Sequence, residues 1–288
     1  MKPSAFDYAR PRSVAEAVEA LSSTESSRVL AGGQSLIPAM NFRLAEMSLL
    51  VDICDVDGLG TVSCDAAGVR VGAAATQTRV LDDADAAQAV PGLRAALRHV
   101  GHLQIRNRGT VCGSLAHADP AAELPALALA SDALIGIAGP RGRREVTAAD
   151  FVTGPFTTVV EDGELVTDAL FRRPPSGAVT VVDEVCRRAG DFALAGLVAV
   201  VEAQDGAVRT ARLVGFGLRG VPTRLRNAED VLAGWAGDHS IEAITEAVAA
   251  DTTEVFDDTH APGWYRRDAV TALVVRTVRS VLESHAAP

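Results

Sequence analysis

The arrangement that most narrows what this chain can fold into lies near its start. Val29-Leu30 is a short apolar run, Ala31-Gly32-Gly33-Gln34-Ser35 follows it, and Leu36, Met40 and Leu44 then recur at a spacing of four. That spacing is one face of a helix. Leu49-Leu50-Val51-Asp52-Ile53 reads as a second strand. Strand, helix, strand in this order predicts a parallel pair joined by a right-handed crossover. Two adjacent glycines at the first junction let the backbone take φ > 0 and present consecutive N–H groups. Such a turn holds a phosphate without a lysine, because a helix start adds partial positive charge. Gly109-Thr110-Val111-Cys112-Gly113-Ser114 has the same character, and both loops are expected to close on one diphosphate. Taken singly, paired glycines mark plain turns more often than ligand sites. Neither loop is G-x-G-x-x-G, and no P-loop signature occurs.

The remaining elements follow from local pattern. Ser13-Val14-Ala15-Glu16 is a capping box opening a helix along Val14, Ala17, Val18 and Leu21. A helix over Leu36 to Ala45, a strand over Val69 to Ala73 and a helix over Thr76 to Ala87 are predicted. A further segment, Pro91 to Leu103, carries Leu93, Leu97 and Val100 on one face. Asp119-Pro120 reads as an N-cap followed by first-turn proline, starting a helix through Leu124, Leu127 and Ala128. Leu134 to Ile137 and Glu164 to Phe171 are predicted strands. Pro174-Pro175-Ser176-Gly177 continues neither a helix nor a central strand, so it divides the chain into residues 1–175 (subdomains 1–57 and 58–175) and 176–288. Beyond it, Val179 to Val182, Phe192 to Glu202 and Val208 to Gly217 suit strands or a strand–helix mixture. Ala228 to Ala233, Ile241 to Ala250 and Tyr265 to Glu283 are predicted helices.

Composition excludes several classes. A net charge of −10 with one lysine among 288 residues argues against nucleic acid or an anionic membrane as the main partner. No apolar run approaches the ~20 residues that span a bilayer, and the first residues lack a signal-peptide core. Cys54, Cys64, Cys112 and Cys186 are scattered without a C-x-x-C pair, so they match neither a zinc nor an iron–sulfur framework. The chain reads as reduced, soluble and cytoplasmic.

Isolated candidates are weak on their own. Cys112 reads as a small packed residue, since nothing in the sequence lowers its pKa. Asp119 reads as a cap, Glu123 as a first-turn charge complementing a helix dipole, and His117 as a polar loop residue. His99 and His102 lack companions for a metal site. Arg187-Arg188 and Arg266-Arg267 read as solvated or interface pairs.

Together, "RVLAGGQSLIPAMNFRLA" followed by "QIRNRGTVCGSLAHADPAAELPALALASDA" resembles the FAD-binding medium subunit of molybdenum hydroxylases. That family includes the flavoprotein subunits of carbon monoxide dehydrogenase and the FAD segment of xanthine dehydrogenase. "FDYARPRSVAEAVEAL" matches its start, "CRRAGDFALAG" the entry to its C-terminal domain, and "WYRRDAV" resembles its final helix. The resemblance covers nearly the whole chain.

The resemblance implies an α+β chain: a two-subdomain α/β FAD-binding domain of the PCMH type, then a C-terminal domain of antiparallel sheet and helices. It implies that Ala31, Gly32, Gly33, Gln34, Ser35 and Leu36, with Gly109, Thr110, Val111, Cys112, Gly113 and Ser114, hold the FAD diphosphate. Ile105 and Arg106 would lie near the cofactor. Asp119 and Glu123 fall where relatives often present a carboxylate to FAD. Phe192 stands where relatives can carry an aromatic beside the isoalloxazine, although a buried strand aromatic is an equal reading. Cys112 replaces a glycine common in relatives, which only a negative φ tolerates. No metal or catalytic substrate-hydroxylating residue is expected here. Molybdopterin would sit on a large partner subunit and two [2Fe–2S] clusters on a small one, with FAD passing electrons to an external acceptor. A standalone FAD-dependent oxidoreductase, or a scaffold subunit that has lost FAD, is the alternative.

Overall fold

The structure, a computed structural model, describes residues 2–236 and 241–286. The chain opens with β1 (Asp7–Ala9), α1 (Val14–Ser23), β2 (Ser27–Leu30), α2 (Leu36–Asn41) and β3 (Leu49–Asp52). The capping box forms with one change. The Ser13 hydroxyl accepts from the Glu16 N–H at 3.2 Å, while the Glu16 carboxylate accepts from the N–H of Arg12 at 2.7 Å, rather than from that of Ser13. The predicted crossover is present, since β2 and β3 pair in parallel with Val29 opposite Val51. The strand β1, which sequence pattern did not reveal, adds in parallel to the other edge of β3. The helix α2 stops at Asn41, short of the expected Ala45. Arg43 takes φ 57° and turns the chain away, leaving Leu44 82 % exposed and off any buried face.

Next come β4 (Val62–Cys64), β5 (Gly68–Gly72), α3 (Gln77–Asp82), α4 (Ala84–Ala89), α5 (Pro91–His99), α6 (Leu103–Arg106), α7 (Val111–His117) and α8 (Glu123–Ala130). The helix expected over Thr76 to Ala87 is two, because Asp83 is extended and its carboxylate accepts from the Ala86 N–H at 2.8 Å, restarting the second. The segment expected to run to Leu103 breaks after His99, where Gly101 takes φ 46°. Asp119 is not the N-cap of α8. Its carboxylate accepts from the Ala121 N–H at 2.9 Å, closing a turn before the helix, and Ala122 occupies the cap position. Then follow β6 (Leu134–Gly139), β7 (Gly142–Thr147), α9 (Ala148–Phe151), β8 (Val152–Gly154), β9 (Thr157–Thr158) and β10 (Leu165–Arg172). The last stretch holds β11 (Val179–Val185), β12 (Ala195–Gln204), β13 (Ala207–Phe216), β14 (Thr223–Arg224), α10 (Arg226–Leu232), α11 (Ile241–Asp251) and α12 (Gly263–Ala286). The apolar runs after Pro174 are therefore strands, not a strand–helix mixture.

Two compact units result. The first comprises Met1–Ala89, His102–Ala118 and Asp132–Arg172. It holds the parallel sheet in order β1-β3-β2, the antiparallel sheet β4-β5-β10-β6-β7 and the ribbon β8-β9. The second comprises Val90–Gly101, Asp119–Ser131 and Arg173–Pro288. Its antiparallel sheet runs β11-β12-β13-β14, with α12 against β12 and with α5 and α8 also packed on its strands. Trp235, Leu213, Leu218, Val274 and Val278 belong to its buried core. No described helix is long and apolar enough to cross a membrane.

Candidate functional site

Both glycine loops lie in the first unit and are interlocked there. A Cβ on Gly32 would stand 2.3 Å from the Arg108 carbonyl oxygen and 2.6 Å from the Gly109 Cα. Only glycine lets the two backbones come this close. Gly33 takes φ 70°, with Ile37 and Leu30 side chains 3.2 Å from where a Cβ would be, so a larger residue meets both strain and contact. A Cβ on Gly113 would lie 2.6 Å from the Thr110 hydroxyl and 3.9 Å from the Cβ of Ala31, which places the start of α7 beside the first loop.

Each loop is held by its own bonds. Gln34 Nε2 donates to the Gly32 carbonyl at 3.2 Å, and the Cys54 thiol donates to the Ala31 carbonyl at 3.4 Å. Ser35 begins α2 with its hydroxyl making no capping bond, and Leu36 is the first helical residue. In the second loop the Gly109 N–H donates to the Ile105 carbonyl at 2.7 Å, while the Gly109 carbonyl accepts from the Gln77 N–H at 2.8 Å. Thr110 caps α7, its hydroxyl accepting from the Gly113 N–H at 2.9 Å. Ser114 continues the helix, its N–H donating to the Thr110 carbonyl. Ile105 and Arg106 end α6 just before this loop, Ile105 with 37 % exposure and Arg106 half-buried.

Cys112 sits in the first turn of α7 with helical, negative φ, the condition that makes cysteine acceptable there. Its thiol is buried against the Val71 carbonyl at 3.4 Å, and burial pushes its pKa up. It is a packed residue and no nucleophile. Burial likewise raises the Cys54 thiol to about 11. No disulfide joins the four cysteines, and no cluster of His, Cys, Asp or Glu suited to a metal occurs among the described residues.

Asp119, Glu123 and Phe192 belong to the second unit. Glu123 opens α8 with only 8 % exposure. Burial, with a smaller contribution from the nearby Glu184, raises its carboxyl to about 8, so it is largely neutral near pH 7. Glu184, on β11, stands 3.5 Å from His99 Nδ1, and its side chain raises the imidazole's pKa; His99 Nε2 lies 3.1 Å from the Val182 carbonyl. His99 is thus a partnered residue at the end of α5. Sequence spacing offered no signal for its link to Glu184, which lies far along the chain. Phe192 is 72 % exposed in the turn before β12, which overturns the reading of it as a buried strand aromatic. Arg266 is also not solvated: at 4 % exposure it donates to the Gly217 carbonyl at 2.8 Å, to the Leu194 carbonyl, and to Asp258 at 2.7 Å.

The parallel crossover with interlocked glycine turns, the adjoining antiparallel sheet and the separate four-stranded sheet with helices define a two-domain FAD-binding fold. Residues 4–171 match the FAD binding domain in molybdopterin dehydrogenase, and residues 181–281 match the CO dehydrogenase flavoprotein C-terminal domain. The nicotine 6-hydroxylase medium subunit of Paenarthrobacter nicotinovorans is 37% identical, over 96% of this chain and 98% of that one. The carbon monoxide dehydrogenase medium chain of Afipia carboxidovorans is 34% identical, over 96% of this chain and 97% of the relative. The crystal structure of quinoline 2-oxidoreductase from Pseudomonas putida 86 superposes with a TM-score of 0.92 at 34% identity, covering 99% of both chains. The chain belongs to the FAD-binding medium subunits of the molybdenum hydroxylase family. Its residues fit FAD: the first loop is a cradle that a Cβ at Gly32 would break, and a buried side-chain oxygen on Gln77 beside the second loop has no partner among the described residues.

Proposed function

We propose that this chain is the electron-exit subunit of a heterotrimeric molybdenum hydroxylase. In this reading [2Fe–2S] clusters on a small partner receive electrons from a molybdopterin-bearing large subunit, and the FAD bound here delivers them to an external acceptor. The flavin supplies the conversion between one-electron and two-electron chemistry. This chain's own residues bind, orient and shield it. The observation that carries the reading is the backbone-to-backbone contact of Gly32 with Arg108 and Gly109, which supports both loops closing on one diphosphate. An acidic chain with one lysine suits a dianion bound by oriented amides and hydroxyls of residues 31–36 and 109–114. Cysteines without disulfides suit a reducing cytoplasm.

Ile105 and Arg106 are proposed to flank the cofactor. Asp119 and Glu123 are proposed as cofactor-binding carboxyl groups, Glu123 as a neutral acid that can donate a hydrogen bond. Phe192, with its ring exposed, is proposed as a cofactor-binding aromatic.

The test is purification from cells that also express the neighbouring reading frames. We expect co-elution with a molybdopterin subunit and an iron–sulfur subunit, and one flavin per copy of this chain. A colourless chain that FAD does not reconstitute would sink the proposal, and a lone flavoprotein peak turning over a small substrate would favour the standalone reading. Gly32→Ala should lose flavin while keeping the secondary structure seen by circular dichroism.

A further inference from the structure

We infer that Gln77 is a cofactor-binding residue whose carboxamide oxygen accepts a hydrogen bond from a sugar hydroxyl flanking the FAD diphosphate. Gln77 is the first residue of α3 and is 4 % exposed, yet its Oε1 finds no partner among the described residues. A buried carbonyl oxygen without a donor is rare, because it has lost water and gained nothing in exchange.

Its position says where the donor comes from. The Gln77 N–H donates to the Gly109 carbonyl at 2.8 Å, and Oε1 lies 2.9 Å from where a Cβ on Gly109 would stand. Gly109 also touches the position a Cβ on Gly32 would take. The carboxamide therefore reaches the junction of the two glycine loops.

The backbone that carries it is fixed on both sides. Thr76 forms a bridge with Thr110, the Thr76 hydroxyl accepts from the Arg79 N–H at 3.3 Å, and the Thr78 hydroxyl donates to Asn107 at 2.8 Å. A backbone so anchored fixes the point from which the side chain extends before any ligand arrives. In FAD the diphosphate is flanked by a ribose and a ribityl chain, both rich in hydroxyl donors.

The inference rests on the reading that the two loops hold the diphosphate, and the experiment separates the two. The full-length apoprotein is titrated with FAD by fluorescence, for the native chain, Gln77→Met and Gly32→Ala, and each apoprotein is melted without FAD. Methionine keeps the length and removes the acceptor. We expect Gln77→Met to weaken FAD binding about tenfold, equivalent to about 1.4 kcal/mol, with the apoprotein melting at or above the native temperature. Native affinity in Gln77→Met, or a fall in apoprotein melting temperature that accompanies the weakened binding, overturns the inference. Native affinity in Gly32→Ala overturns the diphosphate reading instead. Should Gln77→Met not fold, a crystal structure of the FAD-loaded native protein decides. Oε1 within hydrogen-bond distance of a sugar hydroxyl supports the inference, and Oε1 bonded only to protein or water overturns it.

Discussion

At the scale of single residues, the informative groups are those whose environment contradicts their chemistry. Glu123 is a carboxyl kept in a buried site with Glu184, His99 and Asp119 as its charged neighbours. Its folded pKa, about 8, lies above the ordinary value of 4.5. Below pH 4.5 the group is protonated in both states and costs nothing. As pH rises toward 8 the unfolded chain ionises it while the folded chain resists, so stability falls across that window. At about 1.4 kcal/mol per pKa unit, the loss in the FAD-free protein reaches on the order of 4 kcal/mol by pH 8. Glu123→Gln removes this term and should be stabilised relative to the native chain increasingly from pH 5 to pH 8. Urea unfolding at three pH values checks it, and parallel pH profiles would refute the buried neutral acid. His99 adds in the same direction, because its raised pKa makes the charged pair with Glu184 a low-pH contribution lost as pH rises through that value. None of this was legible in the sequence. Glu123 looked like an ordinary first-turn acid, since burial and a partner on β11 are properties of packing and leave no local pattern.

At the scale of elements, legibility followed the range of the forces involved. The β2–α2–β3 crossover, the α1 capping box and the long α12 rest on contacts between near neighbours, and pattern alone predicted them. The breaks at Asp83 and Gly101 were missed because helical periodicity continues across them, and only a backbone turn or a local cap reveals them. The Arg266 pair was misread for a similar reason: two arginines on a helix look solvated unless a distant carbonyl claims one. Arg266 joins the first turn of α12 to the backbone at Leu194 and Gly217 and to Asp258. Arg266→Ala should cost about 3 kcal/mol, because it strands buried acceptors and an acidic partner. Lysine should recover only part of this, since it lacks the planar fork. Urea midpoints of both variants test the order. Thr110→Val, which removes the cap from α7 but keeps its shape, should cost about 1 kcal/mol and also weaken FAD retention, as the second loop loses the bond from Gly113.

At the scale of the whole molecule, the order of elements along the chain and their membership of folding units do not coincide. The second unit includes Val90–Gly101 and Asp119–Ser131 as well as everything from Arg173 onward. These two insertions are not decoration. Leu93, Ala96 and Leu97 of α5, with Leu124 and Leu127 of α8, are buried. At Gly92 an added Cβ would meet Leu127 at 2.7 Å and Thr180 on β11 at 2.9 Å, so α5, α8 and the sheet close on one another without slack. Each large side chain so buried is worth roughly 1.5–3 kcal/mol, and a domain's net stability is only about 5–15 kcal/mol. Removing both helices therefore takes away a sum comparable to the whole margin. A fragment of residues 176–288, cut at the proline-rich joint, should accordingly fail to fold cooperatively, giving poor amide dispersion in NMR and no sharp melting transition. The same fragment with residues 90–101 and 119–131 supplied in trans or by a linker should recover a transition. A fragment that folds sharply by itself would show that the sheet and α12 suffice, and that α5 and α8 are passengers on its surface.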